Sequence, residues 1–200
     1  SFGKLTAKQG EVIDDTLRNN ERLISLVNNL LNVTRIKEGK YLYETVMADM
    51  KEIIHFVIAD NKSEIKSRKI NLEFKEPDNI PQTMVDVEKI KMVVQNLIDN
   101  AIKYSSVGGK IIITLKKENE HLLFKIEDFG IGIPKSQQDK IFIKFFRGDN
   151  AAKIDPNGTG LGLYLTEKII NAHGGKIWFE SEENVGTSFY FNLPITDQKL

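Results

Sequence analysis

The sequence predicts an α+β fold: one mixed α/β domain over residues 41–200, preceded by a region over residues 1–40 that holds a single long helix at 7–38. Three observations predict it. Apolar residues recur at heptad spacing through residues 7–38. After residue 40, short runs of alternating apolar and polar residues interleave with runs of helical period. Glycine clusters then punctuate the second half, at Asp128–Gly132, Gly158–Leu163 and Gly174-Gly175.

The heptad seam is Ile13, Leu17, Asn20, Ile24, Val27, Leu31 and Thr34. Leu23, Leu26, Leu30 and Val33 widen it on one side, which suits a helical bundle better than a two-stranded coil. Asn20 on the seam fits a register-setting polar residue, and Gly39 a helix stop. So wide a stripe needs a partner. Tyr41–Val46 fits a short strand, and Met50, Ile53, Ile54, Val57, Ile58 and Ile65 mark a helix over 47–66. Lys69–Lys75 alternates Ile70, Leu72 and Phe74 and reads as a strand. Asp86 fits the N-cap of a helix running to Tyr104. Gly108-Gly109 is a turn, and Lys110–Lys117 and His121–Asp128 read as paired strands. Residues 129–158 are polar and weakly patterned, and so long a loop in a compact domain is often a functional lid. A helix follows to His173, then strands at Lys176–Ser181 and Thr187–Pro194.

Composition narrows the function. Lys+Arg 28 balances Asp+Glu 28, which argues against a general nucleic-acid binder. The chain has no cysteine, so disulfides, thiolate metal sites and thiol nucleophiles are excluded. No apolar run approaches membrane-spanning length and no signal-peptide pattern opens the chain, so no membrane contact is expected of these residues. The composition suits a reducing cytoplasm and leaves room for membrane anchoring of a longer parent.

The helix before Tyr104 carries the first chemistry. At 100° per residue, Asn96, Asn100 and Lys103 fall on one narrow row, and Ile90, Val94, Leu97 and Ala101 centre roughly 120° away. Amide oxygens are hard ligands suited to Mg²⁺, and a lysine beside them supplies charge for phosphates. The same pattern also fits a solvated polar face with a lysine at a helix C-terminus. Asp128 ends a strand, where a carboxylate can accept a hydrogen bond from an exocyclic amine while Gly130 and Gly132 let a flat base approach. It fits a strand-end aspartate in a glycine turn as well. Gly158, Thr159, Gly160, Leu161, Gly162 and Leu163 precede an apolar helix, and such a run can aim helix-start N–H groups at an anion. Arg147, in Ile141–Arg147, can neutralise phosphate, while Phe142 and Phe145 read as anchors under the loop. A dinucleotide fingerprint, a Walker A loop and a eukaryotic-type protein-kinase motif set all fail on this sequence.

In this order the segments resemble the boxes of a two-component sensor histidine kinase: asparagine box Asn96–Tyr104, first glycine box Asp128–Gly132, phenylalanine box Phe142–Arg147, second glycine box Gly158–Leu163, and a weaker match at Gly186-Thr187. The resemblance implies a two-layer α/β sandwich, a mixed sheet packed on helices, of the histidine-kinase, gyrase and chaperone ATPase type. It implies ATP and Mg²⁺ as cofactors, with Asn96 and Asn100 on the metal and Asp128 on adenine. Asn96, Lys103 and Arg147 are the implied catalytic residues. Tyr104, Gly130, Gly132, Ile133, Thr159, Gly160, Leu161, Gly162, Leu163 and Thr187 complete the implied nucleotide contacts.

Residues 1–40 resemble the second helix of the family's dimerisation and phosphoacceptor region. The implied partners are a second copy, through the bundle, and a response-regulator receiver domain. None of His55, His121 and His173 stands in the family's His-Glu/Asp-x-x-x-Pro setting. With the opening at Ser1 in what looks like the inter-helix loop, this implies a fragment that binds ATP but lacks its own acceptor. The alternatives are a chaperone- or gyrase-like ATPase module and a non-catalytic dimerisation module with a vestigial site.

Overall fold

The computed structural model describes residue 3, residues 5–37 and residues 43–195. The chain divides into two compact units, Ser1–Tyr41 and Leu42–Leu200.

The first unit is helix α1, Ala7–Lys37. Thr6 and Gln9 start it as a reciprocal capping box: the Thr6 N–H donates to Gln9 Oε1 at 2.9 Å, and the Gln9 N–H to Thr6 Oγ1 at 3.3 Å. The seam residues Ile13, Leu17, Ile24, Val27 and Leu31 are 42–55% exposed. The stop expected at Gly39 lies outside the described residues.

The second unit is a two-layer sandwich. Its sheet has the order β2-β4-β5-β7-β6, from strands β2 (Asn71–Lys75), β4 (Lys110–Glu118), β5 (His121–Asp128), β6 (Lys176–Glu182) and β7 (Gly186–Pro194). β2 runs parallel to β4, and every other pairing is antiparallel. Helices α2 (Met50–Asp60), α4 (Val87–Tyr104) and α6 (Gly162–Ala172) form the second layer, with α4 packed against both others and against β5. Ile90, Leu97, Ile98 and Ile102 of α4 are fully buried, as are Phe124 and Phe191 of the sheet, whose rings stack with centroids 4.6 Å apart. Each such side chain contributes roughly 1.5–3 kcal/mol by leaving water.

Several boundaries differ from expectation. The single helix over 47–66 is two, α2 and α3 (Lys62–Ser67), separated by Asn61. Asn61 is buried, and its amide donates back to Val57 O at 2.8 Å and across to Gln95 Oε1 at 3.1 Å. A side chain that bonds its own preceding turn competes with helix continuation. The next strand begins at Asn71 rather than Lys69, because Lys69 adopts φ 54° and closes α3. Tyr41–Val46 is not the expected strand among its described residues. Instead β1 covers Val46–Ala48 and pairs antiparallel with β3, Thr83–Val85, which the sequence reading missed. The loop 129–158 holds a 3-10 turn at Lys135–Lys140 and helix α5, Asp149–Ile154.

Asp86 ties the unit together, because three of its groups are used. Oδ1 accepts the Lys89 N–H at 3.1 Å as the α4 N-cap, Oδ2 accepts the Glu44 N–H at 3.1 Å, and its own N–H donates to His173 Nε2 at 3.0 Å. His173 Nδ1 lies 2.8 Å from Ile169 O, so this buried ring bridges the end of α6 to the start of α4. Replacing Asp86 by Ala should cost about 1–2 kcal/mol of stability. Urea unfolding of the variant checks this.

Candidate functional site

α4 positions most of the site. Asn96 and Asn100 are half-buried on one edge of it. Asn96 Nδ2 donates to Thr166 Oγ1 of α6 at 2.9 Å, and a Cβ built on Gly162 would fall 2.1 Å from Asn96 Oδ1. The glycine at that position lets α6 begin directly on the asparagine. Asn100 differs. Among the described residues nothing is hydrogen-bonded to its amide. Its oxygen is thus the better fit to a hard cation, while Asn96 is the carboxamide already engaged one turn away. Also among the described residues, no group of three or more His, Cys, Asp or Glu could hold a metal ion.

The C-terminus of α4 is fixed by its carbonyls. Arg68 donates to Lys103 O at 2.9 Å and to Ser105 O at 3.1 Å, and the Ile131 N–H donates to Tyr104 O at 3.2 Å. Gly130 and Gly132 serve this packing. A Cβ on Gly130 would lie 2.1 Å from Tyr104 O, and one on Gly132 1.9 Å from Glu182 O. Their missing side chains admit protein backbone, where the sequence reading assigned them to the approach of a base. The Ile133 N–H is likewise committed, to Ser181 Oγ at 2.9 Å.

Asp128 is buried at the end of β5, with Oδ1 accepting the Gly130 N–H at 3.0 Å. Burial pushes its carboxyl up to about 6, against the pull of the Gly130 and Thr187 backbone N–H groups. Thr187, on the neighbouring strand β7, stands opposite it, buried, with its hydroxyl 2.9 Å from Ser181 Oγ.

The lid contributes Arg147 and the partners of both cations, while Lys103 comes from the last turn of α4. Lys103 Nζ pairs with Asp155 Oδ2 at 2.9 Å. Arg147 donates to Pro156 O at 3.0 Å and makes a short contact to Asp155 O. Burial raises the Tyr104 phenol above its ordinary value, with the charges of Lys103 and Arg147 opposing and that of Asp155 adding. Tyr104 therefore shares one electrostatic neighbourhood with all three. The Phe145 N–H donates to Gly160 O at 2.8 Å, which ties the phenylalanine segment to the second glycine run. Phe145 itself is 59% exposed at φ 66°, so it is not the expected core aromatic, whereas Phe142 packs edge-on to Phe179. The Leu161 N–H donates to Thr159 Oγ1 at 3.1 Å, and α6 has no side-chain cap. The N–H groups of Gly162 and Leu163, in its first turn, have no intrahelical acceptor.

The expected residues thus fall around one region at the joint ends of α4, β5 and α6. Sequence reasoning missed Thr166, Arg68, Ser181 and Asp155. Asp155-Pro156-Asn157-Gly158 is legible as a turn, but nothing in it announces a lysine 52 residues upstream.

Comparison with known proteins places this geometry. Residues 85–197 match the family described as histidine kinase-, DNA gyrase B-, and HSP90-like ATPase. The sensor histidine kinase WalK of Bacillus subtilis (strain 168) is 34% identical over 186 residues, covering 92% of this chain and 30% of WalK. The catalytic domain of histidine kinase ThkA superposes with a TM-score of 0.66 at 35% identity, over 76% of this chain and 95% of that one. ThkA in complex with the response regulator protein TrrA gives a TM-score of 0.74 at 28% identity, over all of this chain and 55% of that one. The chain spans less than a third of WalK's length.

Behind the asparagine edge lies a polar cluster with a measurable signature. Asp99 accepts from Gln95 Nε2 at 2.6 Å, and Gln95 exchanges hydrogen bonds with Asn61. Burial pushes Asp99 up to about 6, against the Gln95 hydrogen bond, with the Glu64 charge adding and Lys103 opposing. A folded-state value above the ordinary 3.8 means stability that is fully present below about pH 4 and lost as pH rises through 6. Asp99→Asn removes that loss. The variant should gain on the order of 2 kcal/mol over wild type at pH 7.5, and the gain should fade as pH falls to 4. Thermal melts across this range check it.

Proposed function

We infer the function from one premise: the chain belongs to the histidine kinase-, DNA gyrase B-, and HSP90-like ATPase family, as the catalytic domain of a two-component histidine kinase. It binds ATP at the joint ends of α4, β5 and α6. The observation that carries this reading is the convergence there of Asn100, with no hydrogen bond to its amide among the described residues, the buried acceptor Asp128, Lys103 at the end of α4 and Arg147 of the lid.

Asp128 accepts the exocyclic amine of adenine. Gly130, Gly132, Ile133 and Thr187 shape the wall around that carboxylate and hold it in place. Tyr104 borders the nucleotide on the phosphate side. Asn100 holds Mg²⁺, with Asn96 as the second carboxamide. When bound, this ion neutralises phosphate charge. Lys103 and Arg147 bind phosphate oxygens, and Thr159, Gly160 and Leu161 form the loop that brings the open backbone N–H groups of Gly162 and Leu163, at the α6 start, to the same phosphates. Phosphoryl transfer needs little beyond such positioning and charge neutralisation.

The parent protein passes the γ-phosphoryl group to a histidine and from there to an aspartate of a response-regulator receiver domain. The complex of ThkA with the response regulator protein TrrA supports such a partner. The acceptor is not one of this chain's histidines. His55 is 2.9 Å from Glu76 Oε1, His121 sits in strand β5, and both ring nitrogens of His173 are hydrogen-bonded internally. The exposed heptad seam of α1 pairs with a second copy in the parent. Among the described residues no helix is long and apolar enough to cross a membrane. On the histidine-kinase reading, this part of the parent works in the cytoplasm, where ATP is supplied.

Two outcomes check the reading. Calorimetry should detect Mg-dependent ATP binding that Asn100→Ala weakens by roughly tenfold or more. Unchanged affinity would remove the metal assignment. Incubation with γ-labelled ATP should leave the chain unlabelled, and label on any of its three histidines would overturn the placement of the acceptor.

A further inference from the structure

Both cations assigned to phosphate are held by the chain itself. The Asp155 carboxylate takes Lys103 through Oδ2, and its Oδ1 accepts the Asn157 N–H at 3.1 Å. The backbone oxygens of Asp155 and Pro156 take the Arg147 guanidinium. One turn of the lid, 155–157, therefore offers Lys103 a carboxylate and Arg147 two carbonyls. A phosphate chain would offer the same two cations the same kind of oxygen. Burial works to raise the Asp155 carboxyl, but the hydrogen bond and charge of Lys103, the Asn157 N–H and the Arg147 charge outweigh it and keep it below the ordinary carboxylate value. The group is an anion at neutral pH.

We propose that Asp155 is an internal competitor for the phosphate-binding cations and sets the affinity of the site for polyphosphate. Phosphate oxygens reach Lys103 only as the carboxylate leaves, so the observed affinity is the intrinsic one reduced by the fraction of molecules in which the lid turn holds the lysine. Competition of this kind favours ligands with dense negative charge. A nucleoside, which has no claim on Lys103, is indifferent to it. The pair is partly exposed, at 38% for Lys103 and 19% for Asp155, so it is a modest barrier rather than a seal.

The inference rests on the ATP reading above, and the experiment separates the two. Asp155→Asn keeps an acceptor for the Asn157 N–H and removes the charge. By calorimetry the variant should bind ATP roughly 2- to 10-fold more tightly than wild type, with adenosine affinity unchanged. Asp155→Ala should move ATP in the same direction. Before nucleotide is added, amine-directed labelling read by mass spectrometry should show Lys103 more reactive in both variants than in wild type. Equal or weaker ATP binding by the variants, with wild type binding normally, overturns the inference and leaves the ATP reading standing. Unchanged Lys103 reactivity also overturns it. If neither wild type nor variants bind ATP, the functional reading falls and the inference falls with it.

Discussion

Arg68 clamps the end of the helix on which the site is built. Its guanidinium takes the carbonyls of Lys103 and Ser105, and the Ile131 N–H takes the one between them, Tyr104 O. The last carbonyls of a helix carry the negative end of its dipole, so a cation there is well placed as well as well bonded. Lys103 and Tyr104 leave the helix from this turn. Their side chains can point reproducibly because the backbone beneath them has nowhere to go. The close approach of Gly130 follows from the same clamp, since β5 must run on past the helix end within contact of Tyr104 O.

The two ends of the site differ in how wet they are, and their chemistry follows. Asp128 is 8% exposed and sits among backbone donors, whereas Lys103 is 38% exposed and meets its counter-charge through a single ion pair. Burying a full charge is expensive unless it is paired, and burying a neutral donor on a prepared acceptor is much less so. A dry acceptor therefore suits an uncharged planar group carrying N–H donors. A wetter pair of cations suits phosphates that keep part of their hydration. A nucleotide has both kinds of group at its two ends.

Legibility from sequence followed the range of the interaction. The extent of α4, its Asp86 cap and the row Asn96, Asn100 and Lys103 are local and periodic, so residue order alone located them. β5 matched to the residue for the same reason. Asn61 broke an apparently continuous helix because its amide is needed by Gln95, 34 residues away. β1 and β3 are three residues each, too short to show an alternation, and they exist only through one another. The glycines stand out in the sequence, but the backbone neighbours that also require them, such as Tyr104 O and Glu182 O, cannot be seen in a linear pattern. Phe145 looked like core by composition. Its left-handed backbone, tied to Gly160, turns the ring to solvent instead.

The polar residues of α4 also show how one helix can separate function from stability. Asn96, Asn100 and Lys103 face the site and the lid, while Gln95 and Asp99 lie roughly 90° round the axis, bonded to each other, with Gln95 reaching Asn61. Asp99 and Asn100 are adjacent in sequence yet belong to different neighbourhoods. One is a half-buried acid that costs stability while ionised. The other is an amide with no hydrogen-bonding partner among the described residues. A packed cluster that included the asparagine edge would satisfy Asn100 internally and leave nothing for a cation. Keeping the satisfied network on the next face gives α4 a rigid polar backing without consuming the amide proposed to hold the metal ion.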